Sequence, residues 1–107
     1  MKIAVTSTGP NLDDLIDERF ARANYFIFVD TENMEFKAVK NEHAQGTHGV
    51  GPQAAQMLIS ENVEALITGN IGPNAARAID AANIKVVMPR ERKTVREAIE
   101  DFKKGQE

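Results

Sequence analysis

Three groups of residues have the types and spacing to do chemistry. His43 and His48, the only two histidines, stand five apart in residues 41–51, a stretch with three glycines and no apolar pattern. Two imidazoles on such a loop can ligate a metal or donate to an anion. A protein-only zinc site takes three or four side-chain ligands, so the plain alternative is a pair of solvated loop histidines. Arg19 and Arg22, at i and i+3, can clamp an anion. Asp13, Asp14, Asp17 and Glu18 beside them either bind a cation or coat a short solvated helix with Leu15, Ile16 and Phe20 turned to the core. The third group is Thr68-Gly69-Asn70-Ile71-Gly72-Pro73. Gly69 and Gly72 let the backbone approach a ligand closely, Asn70 tolerates unusual turn geometry, and a following helix start offers free N–H groups to an anion. Gly-Pro pairs also serve simply to start helices. The segment is neither a Walker loop nor G-x-G-x-x-G.

No catalytic constellation emerges, and the expectation is a non-enzyme. Ser7 has no base beside it in sequence. The acids are not spread over strand interiors and ends as a two-metal nuclease needs. The chain has no cysteine, which removes disulfides, thiolate nucleophiles and Cys-ligated zinc or iron–sulfur sites, and fits a reducing cytoplasm. Thirteen basic residues stand against sixteen acidic, a net charge of −3. That is the wrong sign for a general nucleic-acid binder. The longest apolar runs reach five or six residues, short of a membrane span. Met1-Lys2-Ile3-Ala4-Val5 meets polar Thr6-Ser7-Thr8 too soon for the apolar segment of a signal peptide. A cytoplasmic location is expected.

The elements that must position these groups alternate. With 107 residues, 42% hydrophobic and 27% charged, the chain is expected to form a single α/β domain over residues 1–107. Residues 3–6 read as a buried strand stopped by a turn. Tyr25-Phe26-Ile27-Phe28-Val29 is the strongest strand signal. Residues 34–40 alternate Met34, Phe36 and Ala38 with Glu35 and Lys37, the period of an edge strand in an antiparallel hairpin. Gly51-Pro52 opens a helix that Asn62 can end, residues 65–68 form a buried strand, and Gly72-Pro73 opens a second helix with Asn83 as its left-handed end. Residues 85–88 give a fifth strand stopped by Pro89. Thr94-Val95-Arg96-Glu97 matches a capping box, with Val95, Ala98, Ile99 and Phe102 forming one face of a last helix that Gly105 ends. The product is a three-layer, mixed five-stranded sheet with helices on both faces and the first strand central. Ligands of such sheets sit at the carboxyl ends of strands, where the first and fourth strands would bring Thr6-Ser7-Thr8-Gly9-Pro10 and Thr68-Gly69-Asn70-Ile71-Gly72-Pro73 together.

Arg19-Phe20-Ala21-Arg22-Ala23 leading into the second strand, the His48-Gly49 loop, Ile67-Thr68-Gly69-Asn70-Ile71-Gly72-Pro73-Asn74-Ala75, and Ala82-Asn83-Ile84-Lys85-Val86 occur in that order. Together with the opening Met-Lys-Ile-Ala-Val they resemble the dinitrogenase iron–molybdenum cofactor biosynthesis family over nearly the whole chain. The resemblance implies a ribonuclease H-like motif without that nuclease's active site. It also implies non-enzymatic binding or carriage of an iron–sulfur or iron–molybdenum cluster or its precursor, with a cluster donor or acceptor protein as partner. Where relatives often have His-Phe-Gly before the second strand, this chain has Arg19-Phe20-Ala21, a cation in place of a candidate ligand. His43 and His48 fall in the loop where the family has its other histidine. They are the expected metal ligands, with Arg19, Arg22, Gly69, Asn70 and Gly72 expected to bind the cofactor and offset its charge. The alternative is a regulatory module that binds a small anionic metabolite or nucleotide in the same crevice without metal. Oligomeric state is not legible.

Overall fold

Strand β1 (Lys2–Ser7) carries Ile3, Ala4 and Val5 without exposure to water, which only a strand covered on both faces permits. The computed structural model describes residues 1–46 and 50–105. After β1 come β2 (Tyr25–Asp30), β3 (Phe36–Lys40), α1 (Val50–Ser60), β4 (Ala65–Ile67), α2 (Pro73–Ala81), β5 (Lys85–Val87) and α3 (Val95–Gly105). The sheet order is β3-β2-β1-β4-β5, with β1 central and β3 at an edge. Antiparallel β1–β2 and β2–β3 pairs meet parallel β1–β4 and β4–β5 pairs, so the sheet is mixed as expected.

The period-two alternation of the strands sorts the core into two layers. Ala4, Phe26, Phe28 and Leu66 face α1 and α2, where Ala54, Ala55, Leu58, Ala75 and Ile79 close the layer. The small residues of both helices let them sit close to the sheet. Ile3, Val5, Ile27, Val29 and Ile67 face the other way, onto Val95, Ala98 and Ile99 of α3. Phe20 stands edge-to-face on Phe26, ring centroids 5.7 Å apart, and so seals the first layer at its rim. None of the described helices is long and apolar enough to cross a membrane.

Most local signals act as expected. Asn62 and Asn83 adopt left-handed conformations, φ 60° and 61°, after α1 and α2. The Thr94 amide donates to Glu97 Oε1 at 2.9 Å while the Glu97 amide donates to Thr94 Oγ1 at 3.1 Å, closing the box at the start of α3.

Two expectations need correction. The third strand begins at Phe36, not Met34, because Met34 turns the hairpin at φ 62° and donates its amide to Asp30 O at 2.7 Å. The acidic segment before β2 is not a helix. Its amides and carbonyls are taken by distant chain: Thr8 N–H donates to Leu15 O, Ile16 N–H to Lys93 O, Asp17 N–H to Thr6 O and Val95 N–H to Asp14 O. Ile16 and Phe20 are buried as expected, but Leu15 lies 41% exposed.

Candidate functional site

The register fixes which loops can meet. Ser7 pairs with Tyr25, Tyr25 with Lys40, Val5 with Ile67 and Ile67 with Val87. The carboxyl ends of β1, β3, β4 and β5 and the amino end of β2 therefore share one rim. All three candidate groups leave the sheet there, and so does the loop after β5.

Asp17 organises the centre of this rim. Its side chain is almost wholly buried, yet Oδ1 accepts the Arg19 amide and Nε, both at 3.0 Å, and Oδ2 accepts Arg19 Nη2 and the Asn24 amide, both at 3.1 Å. Burial alone would push this carboxyl up. The hydrogen bonds from Arg19 and from the amides of Arg19 and Asn24 more than offset that, and hold it below the usual carboxylate range. Beneath it, the Thr6 hydroxyl donates to Asp17 O at 2.7 Å and stands 2.9 Å from the Thr68 hydroxyl. That buried pair ties the ends of β1 and β4 to the Asp17 turn.

Arg19 is thus fixed along its Nε–Nη2 edge while its side chain stays 58% exposed. The neighbouring carboxylate also raises its pKa, through the hydrogen bond first and charge second. Arg22 is used differently. Its Nη1 donates to the Ala44 carbonyl at 2.7 Å and so anchors the loop after β3. Asn41 adds to that lacing, its Nδ2 donating to Ala21 O and Ala23 O at 2.8 and 2.9 Å and its Oδ1 accepting the His43 amide at 3.2 Å. The His43 side chain is exposed. His48 lies outside the described residues.

A cavity of 460 Å³ opens between the β1, β4 and β5 loops. It gathers Arg19, Gly69 and Asn70 from the expected set. Arg22, His43 and Gly72 are not among the described residues lining it. Gly69 is required by packing: a Cβ there would lie 2.6 Å from Glu18 Cα and 2.9 Å from Glu18 O. The turn after β4 is pressed directly onto the Arg19 segment. Gly72 is sterically unconstrained, with nothing within 4 Å of the Cβ position, and it serves as the N-cap of α2 in extended geometry, φ −73° and ψ 163°.

Sequence reasoning missed Arg90, Glu91 and Arg92, which form the far wall of the cavity. The signal was available, because Pro89 stops a strand whose carboxyl end lies on the same rim. Among the described residues no group of three or more His, Cys, Asp or Glu is arranged to hold a metal ion. The cavity's donor set is guanidinium and amide. The Glu18 and Glu91 carboxylates line the cavity as well.

The dinitrogenase iron-molybdenum cofactor family matches residues 1–105. The chain belongs to that family. The apo form of the orange protein from Desulfovibrio gigas is similar at 44% identity and a TM-score of 0.92, covering 98% of this chain and 88% of that one. A putative NifB protein from Thermotoga, solved by NMR, is similar at 43% identity and a TM-score of 0.85, covering 98% of this chain and 89% of that one. No curated protein matches the chain. In this iron-molybdenum cofactor family member, then, the rim carries the Arg19–Asn70 cavity and, beside it, the segment 41–46 with His43, held on by Arg22.

Proposed function

We propose that the chain is a non-enzymatic carrier that binds a preformed anionic iron–sulfur or iron–molybdenum cluster, or its precursor, at the loop rim of its sheet. The observation that carries the reading is the 460 Å³ cavity where Arg19, Arg90 and Arg92 converge on the Gly69–Asn70 turn in a chain of this family. Guanidinium and amide donors hold the cluster through directed hydrogen bonds, as suits delivery rather than permanent residence. His43 and His48 act as labile ligands at the edge of the cargo, with Arg22 holding their loop against the rim. Gly72 presents the first-turn amides of α2. A cluster donor or acceptor protein in the cytoplasm is the partner, and the whole chain works as one domain.

Anaerobic incubation with an iron–sulfur cluster donor, followed by gel filtration and metal analysis, tests this. Iron and sulfide are expected to co-elute with the protein, and the His43→Ala/His48→Ala double variant is expected to lose them faster. Retention unchanged in that variant removes the histidines as ligands, and no retention by the unaltered chain removes the carrier reading. The alternative, a small anionic metabolite held without metal, draws support from the lack of any three-ligand group among the described residues. It predicts thermal stabilisation by phosphorylated metabolites and none by clusters.

A further inference from the structure

We propose that Arg90 and Arg92 form, with Arg19, an oxyanion clamp over the Gly69–Asn70 turn, which takes a tetrahedral anion of two or more charges. The inference rests on the carrier reading for its biological sense and deepens it by assigning the anchoring cations to the loop after β5.

That loop is a strap fixed at both feet on the rim. Thr68 N–H donates to Val87 O at 3.1 Å on one side, and Ile16 N–H donates to Lys93 O at 3.0 Å on the other. Between the feet, Arg90 and Arg92 are exposed and line the cavity. Among the described residues neither guanidinium has an ion-pair or hydrogen-bond partner. The other nearby cations are committed: Lys93 to Asp101, Arg96 to Asp13 at 2.9 Å, and Arg22 to a carbonyl. Two uncommitted guanidiniums and the free edge of a third, converging on one cavity, match the several acceptor atoms of a tetrahedral oxyanion better than a flat monocarboxylate.

Charge sets the strength. Glu18 and Glu91 line the same cavity, and Asp17 already neutralises Arg19, so the three cations face three acids. The clamp holds through directed hydrogen bonds with little net field, and its grip is weak enough to release. Neutralising either wall acid must therefore tighten binding, whereas loss of either strap arginine must loosen it.

The test is an NMR titration of the full chain at low ionic strength, with inorganic phosphate and molybdate as separate arms. Saturable amide shifts are expected at Glu18, Arg19, Gly69, Asn70 and residues 90–92 in at least one arm. The tighter arm identifies the source, a phosphorylated metabolite or a metal oxyanion. Arg90→Gln and Arg92→Gln should each weaken binding by about tenfold, the worth of one charge-assisted hydrogen bond. Glu91→Gln should strengthen it by about threefold. No saturable shift in either arm, or shifts indifferent to both arginine substitutions, overturns the proposal. No cluster is used, so this titration can fail while the chain retains a cluster, and retention can fail while the titration succeeds.

Discussion

Asp17 is the residue on which the site's geometry turns, and its environment dictates what substitution must do. Both carboxylate oxygens accept two donors each, so an asparagine in either orientation sets its NH₂ against two N–H groups. Asp17→Asn should cost about 2 kcal/mol and free Arg19 from its fixed edge. The pH dependence follows from the lowered pKa. The folded state binds this proton more weakly than the unfolded chain, so Asp17 contributes its stability above the ordinary carboxylate pKa of about 4, and loses it as pH falls toward the lower folded value. Urea midpoints should fall on the acid side in the native chain, and that limb should be shallower in Asp17→Asn. Equal acid limbs would separate Asp17 from the effect. The two glycines of the next turn should part company. Gly69→Ala drives a methyl into the Glu18 backbone and should cost about 1–3 kcal/mol while displacing Arg19. Gly72→Ser meets open space at an N-cap and should gain a few tenths of a kcal/mol. Thermal melts of the two variants decide this.

At the scale of elements, stability rests on the central strand pair and the helix faces packed on it. Phe26 and Phe28 reach one layer and Ile27 and Val29 the other, so Phe26→Ala should cost about 3–5 kcal/mol. Thr94→Ala, which opens the capping box of α3, should cost only about 1 kcal/mol. Chemical denaturation of the two variants should rank them in that order. The same elements explain what could be read in advance. Strands and helices with a periodic apolar face declare themselves, because their backbone partners are either their own or those of a neighbouring apolar run. The Asp13–Arg22 region hid its form. Its composition suits a solvated helix, but its hydrogen bonds go to Thr6 and Lys93, too far along the chain for a local pattern to register. Met34 hid for a related reason: alternation continues through it, while the backbone turns.

For the whole molecule, topology does most of the functional work. One rim collects the ends of four strands and the start of a fifth, and so brings Arg19, Asn70 and Arg92 together from three separate stretches of chain. Gly69 and Asn70 were legible as the turn at the carboxyl end of the fourth strand, and Arg19 as half of an i, i+3 arginine pair. Arg90 and Arg92 were legible only in position, through Pro89 at the carboxyl end of β5, since a charged run after an edge strand looks like ordinary solvated surface until its neighbour is known. Metal and sulfide content of the chain purified without oxygen from its native host tests the carrier reading most directly. Iron or molybdenum in constant proportion to protein, together with acid-labile sulfide and lost on Arg19→Gln/Arg92→Gln substitution, is the expected result. Metal-free protein from that source, under conditions in which its host makes clusters, would contradict it.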